Sequence, residues 1–128
     1  MSRRKKPLKT ELALLLLIFV ANGFFSPVRV GRASWYSRHS PGINDRTANN
    51  ERFDDTKITC AIWGVPFNSR VLVVNILNGK WVVARVNDRG PHQRFVLQGR
   101  VIDLTKAAFE RLSPSKKGLA FVVVVRVF

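Results

Sequence analysis

Apolar, β-branched runs separated by turn residues recur through most of the chain after about residue 30. Four of them, at residues 33–36, 58–63, 70–76 and 80–86, predict strands, because Val, Ile, Trp and Tyr fit a pleated surface and Gly, Pro and Asn clusters bound the runs. Asn78-Gly79 separates the last two runs and is a strong signal for a tight hairpin of type I′. The pattern therefore predicts a mostly β domain.

The C-terminal part of the chain adds one helix and two further strands to this prediction. A short strand at 101–103 runs into a helical body at 106–112, for which either Asp103 or Thr105 can serve as the N-cap. Residues 120–128 contain four successive valines, and a continuous apolar run of this kind indicates a strand that is buried on both faces. We therefore expect an all-β fold: a small six-stranded barrel with one short helix, since closure removes exposed strand edges.

The N-terminal segment has the pattern of a secretory signal. A basic stretch is followed by an apolar run at 12–21, which is shorter than the roughly 20 residues needed to span a bilayer. We predict a signal peptide at 1–23, a linker at 24–30 and a folded domain at 31–128, with export to the periplasm or cell envelope and no stable transmembrane span. The alternative is an uncleaved anchor that continues through Phe24 and Phe25. No Cys follows the apolar run, so a lipid-modified N-terminus is not expected.

Charge and composition narrow the classes of partner without selecting one. The chain has 22 basic and 8 acidic residues, a net charge of +14, which attracts anionic polymers such as cell-wall polymer, acidic lipid or nucleic acid. Cys60 is the sole cysteine of the sequence and lies in an apolar run, so we expect a buried structural thiol. The two histidines are isolated, and we predict neither a metal site nor a cofactor.

One carboxylate stands out in the turn after the predicted strand at 80–86. Asp88 is followed by Arg89, Gly90 and Pro91, and Gly-Pro marks a change of chain direction. A carboxylate on a loop held by a rigid sheet fits a catalytic group. Alternatively, Asp88 only caps its own turn through a hydrogen bond from its side chain to the backbone.

Five segments in register give the chain a family resemblance. They are Gly-Arg-Ala-Ser-Trp-Tyr at 31–36, Thr-Ala-Asn-Asn-Glu-Arg-Phe-Asp at 47–54, Pro-Phe-Asn-Ser-Arg-Val at 66–71, Val-Asn-Asp-Arg-Gly-Pro at 86–91 and Gly-Arg-Val-Ile-Asp-Leu-Thr at 99–105. Together they resemble the rare lipoprotein A family. The resemblance implies a double-psi β-barrel and a lytic transglycosylase activity on peptidoglycan glycan strands that lack stem peptides.

The resemblance also implies site residues, because the acidic positions of the family pattern match Glu51 and Asp88. In a lytic transglycosylase the C6 hydroxyl of the muramic sugar attacks its own anomeric centre and forms a 1,6-anhydro ring, so no water molecule is needed. One carboxyl group can then act first as acid and later as base. We assign that role to Asp88, with Glu51 orienting the sugar or stabilising positive charge, and we expect both carboxyl groups in one groove, within about 10 Å of each other. Alternatively, Glu51 is an exposed loop carboxylate or forms a salt bridge with a nearby Arg.

Substrate-binding candidates lie next to these acids. Trp35 and Tyr36 offer flat apolar faces that can stack on sugar rings, although packing inside the barrel is an equal alternative for both. Asn87 and Arg89 flank Asp88 and are predicted to contact the glycan. Trp81, beside the hairpin turn, is expected to pack against the barrel.

The chain departs from the family pattern at one position that bears on activity. The pattern often has a His where this chain has Ile62, and Ile cannot supply imidazole chemistry. The lipid-modified Cys and the C-terminal peptidoglycan-binding repeat of many members are not expected either. This leaves a non-catalytic, expansin-like module that binds the cell wall as the second interpretation. A basic protein that binds nucleic acid or acidic lipid is the third, but no nucleic-acid motif supports it.

Overall fold

A closed barrel of six strands forms the body of the computed structural model, which describes residues 27–128. The strands are β1 (Pro27–Tyr36), β2 (Thr59–Ala61), β3 (Arg70–Asn75), β4 (Trp81–Asp88), β5 (Arg100–Thr105) and β6 (Leu119–Arg126). Their order around the barrel is β1-β5-β2-β4-β3-β6, and β6 pairs with β1 to close it. The predicted six-stranded barrel is confirmed, whereas the predicted signal peptide lies outside the described residues.

Two of the six strand pairs in the barrel are parallel, and this arrangement brings two acidic residues near each other. β1 pairs in parallel with β5, and β2 pairs in parallel with β4, while the remaining neighbours are antiparallel. The short strand β2 therefore lies between β4 and β5. Its last residue, Ala61, is opposite Asp88 on one side and opposite Asp103 on the other.

Two short α-helices and a 3₁₀ helix (Ser115–Lys117) flank the barrel. The first, α1 (Gln93–Val96), was not predicted, because four residues are too few to show a helical period; the His92 side chain accepts a hydrogen bond from the backbone of Arg94 at its start. The second, α2 (Lys106–Glu110), confirms the predicted helix. Its N-cap is Thr105, whose hydroxyl accepts from the Ala108 N–H at 3.3 Å, so Asp103 is free for another role.

The core is aliphatic and includes one aromatic ring, that of Phe109, among its largest fully buried side chains. The successive valines of β6 are all buried, as the apolar run predicted. Val122 and Val124 join the main core cluster, and Val123 and Val125 form a second cluster with Ile76 on the other face of the strand. We refer to the buried valines of β3 and β6 as the valine wall; they are Val71, Val73, Val74, Val122, Val123, Val124 and Val125.

Several boundaries differ from the sequence prediction. β1 begins at Pro27, inside the segment predicted as a linker, because its early residues pair with β6. The 70–76 and 80–86 strands are joined by a longer turn than type I′: the Gly79 N–H bonds to the Asn75 carbonyl at 2.8 Å, and of Asn78 and Gly79 only Gly79 has positive φ. The packing expected for Trp81 is wrong, since 64% of that residue is exposed.

Candidate active site

Asp88 ends β4 and is fixed by backbone groups from two directions. Its Oδ1 accepts hydrogen bonds from the N–H of Arg89 at 2.9 Å and from the N–H of Ala48 at 3.0 Å. The first bond is the turn cap that the sequence suggested, and the second attaches a distant loop. Asp88 thus caps its own turn and also lies in the lining of a cavity, so the two interpretations of this residue are compatible.

The cavity has a volume of about 630 Å³, within the range of roughly 300–1,000 Å³ that is usual for small-molecule sites. Four of the six residues predicted for the site line it together: Asp88, Trp35, Tyr36 and Arg89. The other two, Glu51 and Asn87, are not among its lining residues.

Glu51 is paired with a cation beside the cavity. Its carboxylate accepts two hydrogen bonds from the Arg85 guanidinium, at 2.5 and 2.8 Å, and further bonds from the side-chain amides of Asn49 at 2.8 Å and Asn87 at 3.3 Å. These bonds, with that of Arg85 the strongest, lower the pKa of Glu51 to about 2. Glu51 is therefore a carboxylate near neutral pH, and not a proton donor.

The loop at 47–51 connects this ion pair to Asp88. The loop is closed by a backbone bond of 2.8 Å from the Thr47 N–H to the Glu51 carbonyl, and the Asn49 N–H bonds to the Asn87 carbonyl at 3.2 Å. Because Ala48 lies within the same loop, anchoring Glu51 to Arg85 also holds the Ala48 N–H against Asp88. The loop backbone thus connects Glu51 to the N–H group that bonds Asp88.

Aromatic side chains form one wall of the cavity. The Trp35 indole N–H donates to the Ser115 carbonyl at 2.8 Å, and the Tyr36 ring stacks on Phe53 with ring centroids 5.0 Å apart. The Tyr36 hydroxyl is buried beside the Asp88 carboxylate, and it makes no hydrogen bond of regular geometry within residues 27–128. Burial first, and then the nearby charge of Asp88, raise the pKa of this hydroxyl, so it stays a proton donor.

Arg89 and Ile62 together form the edge of the site next to the core. The Arg89 guanidinium donates to the Ile62 carbonyl at 3.0 Å and lies 3.9 Å above the Phe67 ring. The Ile62 side chain is fully buried in the core and does not line the cavity. At this position the chain therefore contributes an apolar core contact in place of an imidazole.

Sequence reasoning missed several residues of the cavity lining. They include Asp103, His92 and Phe95; Arg100 lines the cavity as well. Asp103 and Arg100 belong to the 99–105 segment that carried the resemblance, so that segment was the available signal; Asp103 was considered only as a helix cap. His92 could not be found, because an isolated His in a turn has no pattern.

Asp103 is half-buried, as Asp88 is. Its Oδ1 accepts a hydrogen bond from the Ser34 hydroxyl of the neighbouring strand β1. Burial raises the pKa of Asp103, and the charge of Asp88 raises it further, while Ser34 and Arg100 oppose these effects. Within residues 27–128, no group of three or more His, Cys, Asp or Glu residues is arranged to hold a metal ion.

Comparison with known proteins identifies the fold and the family of this site. Residues 28–124, most of the chain, match the family described as lytic transglycolase. The chain belongs to this family. The match covers β1 through most of β6, and so includes every element that lines the cavity.

Curated relatives of the lytic transglycolase family agree with this assignment. The chain is 40% identical over 107 residues to a probable endolytic peptidoglycan transglycosylase RlpA of Synechocystis sp., a match over 83% of this chain and 31% of the relative. It is 44% identical over 95 residues to the endolytic peptidoglycan transglycosylase RlpA of Pseudomonas aeruginosa, covering 74% of this chain and 26% of the relative. The chain thus spans less than half the length of these relatives.

Solved structures support the double-psi β-barrel that the resemblance implied. A Streptomyces papain inhibitor aligns with a TM-score of 0.59 at 22% identity, covering 80% of this chain and 94% of the inhibitor. The expansin of Clavibacter michiganensis aligns with a TM-score of 0.57 at 18% identity, covering 77% of this chain and 50% of the expansin. At these identities the similarity describes the fold alone.

Proposed function

We propose that this chain is an exported lytic transglycosylase that cleaves peptidoglycan glycan strands and leaves 1,6-anhydromuramic ends. The observation that carries the proposal is the position of Asp88, a carboxylate at a strand end in a cavity lined by Trp35 and Tyr36. Membership of the lytic transglycolase family and relatives that carry the name peptidoglycan transglycosylase support the reaction class.

The cavity offers the groups that this reaction needs. Cleavage of a glycosidic bond requires a proton for the leaving oxygen and stabilisation of an oxocarbenium-like transition state. Asp88 supplies acid and base catalysis next to the anomeric carbon, and the C6 hydroxyl of the same sugar is the nucleophile. Trp35 provides an apolar face for a ring of the strand, and Arg46 and Arg100 line the cavity where anionic groups of the cell wall can bind.

Glu51 supports this chemistry by holding the loop at 47–51 against β4. Its carboxylate is saturated by Arg85, Asn49 and Asn87, so we assign it the role of a positioning residue for Asp88. Its negative charge, kept at any pH well above about 2, also favours positive charge that develops nearby. Asn87 contributes to the same network from its buried position.

Ile62 favours a second candidate function, that of a non-catalytic module that binds the cell wall. Ile62 cannot supply imidazole chemistry, and its side chain is buried in the core and does not line the cavity. One imidazole is present elsewhere in the lining, that of His92, whose Nδ1 accepts the Arg94 N–H at 3.3 Å.

Product analysis distinguishes the two candidates. The purified chain is incubated with denuded glycan strands, and the products are examined by mass spectrometry for 1,6-anhydromuramic ends. The enzyme assignment predicts such ends from the wild type and a loss of about 10²–10⁴-fold for Asp88→Asn, the usual contribution of a general acid or base. Asp54→Asn is the matched control, since Asp54 is not among the lining residues of the cavity.

A different outcome would reverse the assignment. Retention of the wild type on isolated sacculi, without any product over long incubation, would establish the binding module instead. An Asp88→Asn variant as active as the wild type would remove Asp88 from the reaction. Salt-sensitive binding to DNA, with none to sacculi, would favour the nucleic-acid interpretation.

A further inference from the structure

A second carboxyl group lies in the cavity, and the reaction as described above does not use it. Asp103 lines the cavity together with Asp88. Both residues are register partners of Ala61, one from β4 and one from β5. Strand neighbours are about 4.8 Å apart, so the two backbones are separated by roughly 10 Å, with only the small Ala61 between them.

The Asp103 side chain reaches towards Asp88. A Cβ added at Gly90 would lie 3.0 Å from the Asp103 Oδ2 and 3.3 Å from the Ala61 Cβ. The Asp103 carboxyl group therefore extends across Ala61 to the turn that follows Asp88. The absence of a side chain at Gly90 and the small size of Ala61 leave the space that this carboxyl group occupies.

The two carboxyl groups have different surroundings. Asp88 Oδ1 is held by two backbone N–H groups, whereas the described hydrogen bond of Asp103 is to the hydroxyl of Ser34. Burial and the charge of Asp88 raise the pKa of Asp103, so its protonated form is favoured relative to an exposed Asp. Paired carboxyl groups in unlike environments are how glycosidases separate the acid from the base.

We propose that Asp103 is a second catalytic residue, which donates the proton to the leaving glycosidic oxygen while Asp88 acts as the base. This deepens the proposed function and rests on it: the acid role passes from Asp88 to Asp103, and Asp88 keeps the role of the base. The bond between the anomeric carbon and the bridging oxygen breaks, and the bridging oxygen takes the proton of Asp103. The C6 oxygen bonds to the anomeric carbon, and its proton passes to Asp88. Proton exchange with solvent then restores Asp103 to the acid and Asp88 to the carboxylate.

Substitution of each carboxyl group tests this division of labour. Asp103→Asn and Asp88→Asn are each expected to lower the rate of formation of anhydro ends by about 10²–10⁴-fold, and the double variant to lose little more than either one, because the two act as a unit. Thermal melting checks that the variants fold, and Asp54→Asn serves as the control. An Asp103→Asn variant that folds and keeps its rate within about tenfold would overturn the proposal.

The pH profile of turnover distinguishes a catalytic acid from a structural residue, because a purely structural Asp103 would not determine its alkaline limb. A general acid must be protonated, so turnover falls as the pH rises above its pKa. The Ser34 hydroxyl stabilises the charged form of Asp103 and lowers its pKa. Ser34→Ala therefore moves the alkaline limb of the profile to higher pH, and an alkaline limb that stays in place contradicts the assignment.

Carboxyl NMR separates failure of this proposal from failure of the proposed function. If the wild type forms no anhydro ends, the proposed function is wrong, and the titration of ¹³C-labelled aspartate carboxyls then tests Asp103 directly. We expect its pKa to fall in Asp88→Asn, since the charge of Asp88 raises it, and its resonance to shift when a denuded glycan fragment binds. A resonance unaffected by the fragment would remove Asp103 from the sugar site.

Discussion

The valine wall and the polar end of the barrel are built by different forces. The wall consists of aliphatic side chains on β3 and β6, whose stabilisation comes from removing apolar area from water, at about 25 cal/mol per Å². The polar end, formed by Ser34, Glu51, Arg85, Asp88 and Asp103, depends on directional bonds between residues far apart in the chain. We infer that the first region sets the stability of the fold and that the second carries the proposed chemistry.

This difference determines how each region responds to substitution. Hydrophobic contacts are non-directional, so loss of volume in the wall costs stability wherever it occurs. Half-exposed ion pairs contribute little to stability, so substitutions in the polar end change the position and protonation of a few atoms while the barrel stays folded. The predictions below test this separation in order of decreasing effect on the free energy of unfolding.

Truncation of the core gives the largest expected loss. Phe109 on α2 is fully buried against the same core cluster that contains Val122 and Val124, so Phe109→Ala should cost about 3–5 kcal/mol in urea unfolding. The matched control is Phe121→Ala on β6, because Phe121 is 52% exposed. Equal losses at the two sites would mean that burial does not determine stability here.

The close contact between β1 and the segment before β5 gives the second-largest expected loss in the free energy of unfolding. A Cβ at Gly31 would lie 2.6 Å from the Gly99 carbonyl oxygen and 2.7 Å from the Val101 Cγ1. Because the backbone must shift to make room, Gly31→Ala should destabilise the chain by about 1–3 kcal/mol. Val30→Ala, one residue earlier on the exposed side, should change the free energy of unfolding by less than about 0.5 kcal/mol. A Gly31→Ala variant as stable as the wild type would show that the two segments are not in tight contact.

The sequence predicted the valine wall well, because burial of a strand is encoded locally. Four successive valines, Val122–Val125, are enough to indicate a strand without a solvent face, and the structure buries all four. The helix α2 could be predicted equally well, since its cap at Thr105 and its apolar positions lie within a few residues of one another. The ends of the strands were harder to predict, because β1 extends to Pro27 only through its pairing with β6.

The polar end could be predicted only in part. The family motif indicated Asp88, and the cavity contains it, but the same motif did not indicate that Arg85 would bind Glu51 beside the cavity. Asp103 could not be predicted as a residue of the cavity for a similar reason. Its position opposite Ala61 depends on β2 lying between β4 and β5, which is a property of the closed barrel and of no single segment.

The ion pair of Glu51 should contribute modestly to stability. Its side chains are 25% and 36% exposed for Arg85 and Glu51, so solvent screening limits the cost of Glu51→Gln to about 1 kcal/mol or less at pH 7. Folding lowers the pKa of Glu51 from 4.5 to about 2, so the contribution is complete above about pH 4.5 and is lost as the pH falls towards 2. The difference in the free energy of unfolding between the wild type and Glu51→Gln, measured by urea unfolding, should therefore decrease as the pH is lowered from 7 to 3.

A control for the ion pair is available on α2. Glu110 is exposed and its carboxylate makes no ion pair or hydrogen bond with any other residue of the 27–128 segment, so Glu110→Gln should show no such pH-dependent difference. If Glu51→Gln leaves stability unchanged at every pH but still slows the formation of anhydro ends, the ion pair serves only to hold the loop at 47–51 against Asp88. A difference in the free energy of unfolding between the wild type and Glu51→Gln that increases at low pH would contradict the lowered pKa of Glu51.

The smallest effect on stability is expected at Tyr36. Its hydroxyl is buried without a hydrogen bond of regular geometry in the described part of the chain, and burial of a poorly paired polar group is unfavourable. Tyr36→Phe keeps the stacking on Phe53 and should leave the free energy of unfolding unchanged within about 0.5 kcal/mol, or raise it slightly. Binding of denuded glycan strands should nevertheless weaken, because this hydroxyl lies beside Asp88 in the lining of the cavity. A Tyr36→Phe variant that loses stability and binds glycan normally would show that this hydroxyl supports the fold and does not contribute to glycan binding.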